Sequence, residues 1–154
     1  MPKLSPLPSA HLLCDLAIHA IHRELRPVYR LTETPKDARR GWDFNTREGL
    51  DNLAQAVILR LLTPRGELAA LGHPEFGSRV HELIGQENNS IKRNLLKLFI
   101  LEAIKAEPRI EKVAELSVTP SPGAPSTVDV LLRVKPVAVS EIVTIGPFSI
   151  ELAV

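Results

Sequence analysis

The residues best placed by type and spacing to do chemistry lie in the run Thr63-Pro64-Arg65-Gly66-Glu67-Leu68 and in its continuation His73-Pro74-Glu75-Phe76-Gly77-Ser78-Arg79. Two carboxylates on either side of a sugar bond can hydrolyse it, one as acid and the other as nucleophile or base. Glu67 and Glu75 are the obvious pair. Arg65 and Arg79 adjoin them, however, and ordinary ion pairing explains these charges at least as well. Phe76 is the one aromatic nearby, whereas a sugar cleft needs several stacking platforms. Ser78 with His73 or His81 has the composition of a nucleophile and a base. No Gly-x-Ser-x-Gly elbow holds that serine, and a cap on the short helix that follows suits it better. Asp15, His19 and His22 have the four- and three-residue spacing of metal ligands on a helix. The chain offers them no clear set of further ligands, so a solvated helix face is the simpler reading. No phosphate-cradling glycine loop, paired cysteines or His-Glu-x-x-His motif occurs. The residues by themselves therefore point to no catalytic group, no metal and no cofactor.

The elements that must position the run follow from hydrophobic periodicity. Pro2, Pro6 and Pro8 make residues 1–8 an extended arm, and residues 9–154 read as a single domain. Ser9 is an N-cap candidate. Leu13, Leu16, Ala17, Ala20, Ile21 and Leu25 then recur at helical spacing, which predicts a helix over about 9–25, ended before Pro27. Residues 27–46 read as irregular, with Trp42 and Phe44 tacking a polar loop onto the domain. Leu50, Leu53, Ala54, Val57, Ile58, Leu61 and Leu62 predict a second helix over about 47–62, with Arg47, Asp51, Asn52, Gln55 and Arg60 on its polar side. Pro64 and Gly66 stop it.

A short helix over 79–84 ends at Gly85. A third long helix, capped by Asn89 or Ser90, runs to about 106. Beyond it Val113–Thr119 alternates weakly. Val128, Val130, Leu132 and Val134 alternate cleanly, and residues 137–145 and 148–154 read as two more strands. The expected fold is α+β: three long helices plus a short one packed on a small antiparallel C-terminal β-sheet.

Composition narrows the partners. The 154 residues are 44% hydrophobic and carry 19 basic and 18 acidic side chains, a net charge of +1. That balance gives no footprint for nucleic acid or an anionic membrane surface. No apolar run approaches the ~18 residues of a membrane span, and the start lacks a signal-peptide core, which points to cytoplasmic assembly. The lone Cys14 cannot form an intramolecular disulfide framework.

Three ordered motifs carry a family resemblance. Gly49-Leu-Asp-Asn-Leu-Ala-Gln55, Arg60-Leu-Leu-Thr-Pro-Arg-Gly-Glu-Leu68 and Gly72-His-Pro-Glu-Phe-Gly-Ser-Arg79 resemble the contractile-tail baseplate wedge family. Glu107-Pro108-Arg109 is similar to the Glu-Pro-Arg motif shared with the type VI secretion baseplate subunit. The resemblance covers about residues 45–119 well and is weaker on either side. It implies a structural protein that locks into the inner baseplate, in six copies, and later becomes part of a virion, tailocin or related injection particle. Its implied partners are other wedge proteins, sheath subunits and hub or tube proteins.

The resemblance also implies roles for particular residues. Glu107, Pro108 and Arg109 would contact the core helical bundle. The loop residues Thr63, Pro64, Arg65, Gly66, Glu67, His73, Pro74, Gly77 and Arg79 would brace that contact. The C-terminal strands over 137–145 and 148–154, the last with Phe148, Ile150 and Leu152, would be the candidates for templating the sheath by β-strand addition. Members of the family have been labelled lysozymes, so a muralytic enzyme of the baseplate is the alternative, although no residue pair here independently supports it.

Overall fold

The computed structural model describes residues 13–23, 26–31, 33–37 and 41–152. The chain divides into two compact units, Met1–Ala56 and Val57–Val154.

In the first unit the expected helix over about 9–25 is replaced by strands. Strand β1 (Cys14–Leu16) pairs antiparallel with β6 (Thr46–Glu48), Cys14 standing opposite Glu48 and Leu16 opposite Thr46. Between them lie two hairpins. Strand β2 (Ile18–Arg23) pairs with β3 (Arg26–Leu31), and β4 (Glu33–Asp37) with β5 (Gly41–Phe44), so within the segment read as irregular 27–31, 33–37 and 41–44 are strand, while 32 and 38–40 lie outside the described residues. The apolar spacing of this segment fits a helix, but strand formation depends on what lies opposite. Here Ile21 stands opposite Val28 and Ala20 opposite Tyr29, and β-branched and aromatic residue types favour the pleated state. The predicted arm over 1–8, and residues 9–12, 24 and 25 of the predicted helix, lie outside the described residues. His19 and His22 stand on strand backbone, so helical ligand spacing to Asp15 does not apply. Among the described residues no group of three or more His, Cys, Asp or Glu could hold a metal ion.

Helix α1 (Gly49–Leu62) begins in this unit, where Gly49 takes a φ of +60° and donates its N–H to Leu13 O at 3.3 Å. Gln55, expected on the polar side, is 6% exposed. Its Nε2 donates to Leu16 O at 2.8 Å, and its Oε1 accepts from Ile18 N at 2.8 Å. One amide thus satisfies both backbone groups flanking Ala17, whose own N–H donates to Asn45 O at 2.7 Å. Gln55→Leu strands both groups, at a cost of about 1–3 kcal/mol. Hydrogen exchange should then accelerate at the Ile18 amide, with amides in 57–152 unchanged.

The second unit contains the rest of α1, helix α2 (Ser90–Lys105), and a sheet ordered β7 (Ile110–Ser121), β8 (Ala124–Pro136), β9 (Val143–Glu151), all antiparallel. Asn89 caps α2, its Oδ1 accepting from Lys92 N at 2.9 Å. Leu96, Phe99, Ile100, Ala103 and Ile104 form its buried face, and Val128, Val130, Leu132 and Val134 the buried face of β8. Arg133–Glu115 at 3.1 Å and Lys135–Glu111 at 2.8 Å bridge β7 and β8 through more exposed side chains.

In place of the two strands expected over 137–145 and 148–154 there is one, β9; residues 137–142 are turn or irregular, and 153 and 154 lie outside the described residues. β9 carries through Gly146-Pro147, with its register shifted between Val130 and Leu132 of β8. The expected short helix over 79–84 is a single 3₁₀ turn, Val80–Leu83, lying between Gly77 and Gly85 in positive φ. Two α-helices, not three long ones and a short one, are thus present among the described residues. None is long and apolar enough to cross a membrane.

Candidate functional site

The central loop is two segments laced together. Thr63 prolongs the end of α1, with N–H and Oγ1 both donating to Leu59 O at 3.0 and 2.8 Å. Pro64 and Ser78 form a parallel bridge: Ser78 N donates to Thr63 O at 2.8 Å and Arg65 N to Ser78 O at 2.9 Å. Gly66 N reaches Phe76 O at 3.3 Å, and His73 N reaches Leu68 O at 3.0 Å. Gly66 and Gly77 take positive φ, +85° and +106°. At Gly77 a Cβ would stand 2.6 Å from Thr63 O and 2.7 Å from Pro64 O, so no side chain fits.

Ser78 is 2% exposed; its Oγ donates to Leu61 O at 2.7 Å and accepts from Val80 N at 3.2 Å. Both hydrogen-bonding roles of the hydroxyl are thus taken up by the backbone around it. His73, Pro74 and His81 are exposed.

The loop's charges pair otherwise than adjacency implies. Arg65 bridges Glu75, through Nη2, and Glu102 of α2, through Nη1 at 2.6 Å. Arg79 grips Glu82 with Nε at 2.8 Å and Nη2 at 2.9 Å, while its guanidinium lies 4.3 Å from the Phe99 ring centre. The hydrogen bond from Arg79 holds the Glu82 carboxyl below the usual range. Glu67 is exposed, its N–H donating to Pro64 O at 3.1 Å. Arg65, Glu75, Arg79, Phe99 and Glu102 line a recess of about 80 Å³. Sites that enclose small molecules run to about 300–1,000 Å³.

Glu107, Pro108 and Arg109 turn the chain from α2 into β7. Glu107 N donates to Ile104 O at 3.0 Å and Ile110 N to Glu107 O at 3.1 Å, which closes the turn; Val137 N donates to Arg109 O at 2.9 Å. Pro108 is exposed, while Glu107 is 5% exposed. The Glu107 Oε1 accepts from Arg109 Nε at 2.6 Å, and its Oε2 lies 3.6 Å from Arg60 Nη2.

Burial pushes the Glu107 carboxyl up, but the hydrogen bonds and charge of Arg109, with the charge of Arg60, bring it below the usual range. Periodicity places Arg60 on the polar side of its helix. It is instead 8% exposed, with its guanidinium 4.5 Å from the Phe76 ring centre. Its Nε is the one buried side-chain polar atom among the described residues without a hydrogen-bond partner. An amphipathic wheel cannot find this residue, because it assigns every charge to water. The available signal is that Arg60 opens the Arg-Leu-Leu-Thr-Pro-Arg-Gly motif.

Among the described residues the predicted sheath strand is an edge, since β9 has β8 on one side in the sheet order and no strand on the other. Phe148 and Ile150 stand opposite Val130 and Val128 and are half-buried. Leu152 is 0% exposed; its N–H donates to Ser126 O at 2.8 Å, and its carbonyl accepts from Gly85 N. Its side chain belongs to the core, so a strand added here meets the β9 backbone and not Leu152.

No family model matches the chain, and no curated protein matches it. Among solved structures it is similar to the crystal structure of a Geobacter sulfurreducens protein given the provisional designation of tail lysozyme. That likeness covers 66% of this chain and 89% of the other, with a TM-score of 0.56 and 21% identity, and it is a likeness of fold.

Proposed function

We propose that this chain is a non-enzymatic structural subunit of the baseplate of a contractile injection particle, a phage tail or tailocin. The observation that carries the reading is the Glu107–Arg109 pair, fixed at the turn between α2 and β7 by hydrogen bonds of side chain and backbone. A guanidinium held in one orientation before a partner arrives loses little freedom on binding, and its planar fork suits partner carboxylates or carbonyls. The sequence motifs and the fold likeness to a tail protein support the setting.

In this reading the Glu107–Arg109 turn meets the helical core of the wedge, the laced loop braces it, and six copies form a ring. The outer edge of β9 accepts an extended sheath segment. Assembly takes place in the cytoplasm, and the protein then becomes part of the particle. It needs no cofactor. In cells that make the particle, Arg109→Ala should leave the protein folded and soluble. Electron microscopy of the lysate should then show no sheathed particles; normal sheathed particles would sink the reading.

The designation of the similar protein is the ground for a second, muralytic reading. It would ask Glu67 and Glu75 to share one sugar bond, yet the Glu75 carboxylate is engaged by Arg65. Purified protein is expected to release no peptidoglycan fragments. Release that disappears in Glu75→Gln would favour the enzyme instead.

A further inference from the structure

Among the described residues, Arg60 is the buried one whose chemistry is at odds with its place. A charged side chain at 8% exposure, with an unpartnered Nε, is a poor choice for packing alone, where Met or Leu would serve. Its position in the last turn of α1 favours a cation through the helix dipole, but that is a surface effect open to an exposed side chain as well. What burial adds is geometry: one face of the guanidinium lies against Phe76 of the central loop, and Nη2 points to Glu107. Glu107 in turn holds Arg109.

We infer that Arg60 is a positioning residue for Arg109, acting through Glu107, and that Phe76 sets Arg60 in place. The two sequence motifs are then one device: the loop residue Phe76 and the α1 residue Arg60 determine where the Arg109 fork points. Three physical steps carry it. The ring of Phe76 fixes the plane of the Arg60 guanidinium, as stacked rings do. The Arg60 charge, 3.6 Å from Oε2, adds to the hydrogen bond and charge of Arg109 in holding a 5%-exposed carboxylate ionised, and it draws Oε2 to one side. The ionised Oε1 then accepts from Arg109 Nε, which a protonated carboxyl in another rotamer would not do as well.

This rests on the proposed role of Arg109 for its purpose but not for its test, which needs only the isolated protein. Carboxyl NMR titration of Glu107 and the arginine Nε–H signal of Arg109 are recorded in wild type, Arg60→Met, Arg60→Lys and Phe76→Leu. In Arg60→Met, which keeps the bulk and removes the charge, the Glu107 titration should move up. The Arg109 Nε–H should exchange with water at least severalfold faster. Arg60→Lys should restore most of the titration but not the exchange protection, because it returns the charge without the plane. Phe76→Leu should resemble Arg60→Lys.

A merely structural Arg60 would change the melting temperature and leave both signals in place. Unchanged Glu107 titration and Arg109 exchange in folded Arg60→Met overturn the inference. If both signals move as expected while Arg109→Ala still assembles normal sheaths, the relay stands and the baseplate reading fails.

Discussion

Gly77→Ala is expected to be among the most destabilising single substitutions in the chain. The added Cβ would lie 2.6 Å from Thr63 O, 2.7 Å from Pro64 O and 2.8 Å from Pro64 C, all backbone atoms in a bridged pair of segments. None can swing aside as a side-chain tip can. Relief requires separating Pro64 from Ser78, which also breaks Ser78 N→Thr63 O and Arg65 N→Ser78 O. The φ of +106° adds its own strain for any residue with a Cβ. Loss of two part-buried hydrogen bonds, the clash and the strain together come to about 3–5 kcal/mol.

At roughly 2–4 °C per kcal/mol for a chain of this size, the melting temperature should fall by about 10 °C. Gly72 provides the control. It too has positive φ, +86°, but a Cβ there meets nothing within 4 Å. Gly72→Ala should therefore cost only the backbone strain, about 1–2 kcal/mol. Equal losses from the two substitutions would show that conformation alone, and not the lacing of the loop, decides the effect.

Glu107→Ala should be as severe for a different reason. It leaves Arg60 at 8% exposure without its counter-ion and removes the Glu107 acceptor from Arg109 Nε, and breaking a buried ion pair from one side costs about 3–5 kcal/mol. Glu107→Gln keeps the shape and an acceptor oxygen, and should cost less. The pH dependence separates charge from shape. The folded-state pKa of Glu107 lies below its ordinary value, so the unfolded chain takes up the proton first as pH falls. The stability that this carboxylate contributes is full above about pH 4.3, the ordinary glutamate value, and is lost as pH falls through the lower folded value. Urea denaturation between pH 7 and pH 3 should therefore show a steeper acid loss in wild type than in Glu107→Gln. Parallel curves would mean that Glu107 is bound no more tightly as an anion than as an acid.

Short-range energetics are legible in the order of the residues. The Asn89 cap depends on a side chain and an amide three residues apart, the end of α1 on Pro64 and Gly66, and the buried face of β8 on a two-residue alternation of valines and Leu132. Each is settled within one turn or a few residues. The distinctiveness of the Thr63–Arg79 loop is legible too, because glycines and prolines declare unusual backbone directly. Pairing across distance is not.

Residues 13–23 carry a spacing that suits a helix, and they form strands because Thr46–Glu48 and Arg26–Leu31 stand opposite them. Arg65 sits two positions from Glu67 in the chain, but its partners are Glu75 and Glu102, since direction and reach count for more than adjacency. Leu152 follows the end of β9 and in the sequence reads as a partner contact; the amide of Gly85 and the carbonyl of Ser126 tie it into the core. Arg60 marks the limit most plainly. The order of residues establishes an arginine in the last turn of a helix and goes no further. Its burial is a product of long-range packing, because Phe76 and Glu107, far along the chain from it, close over the guanidinium.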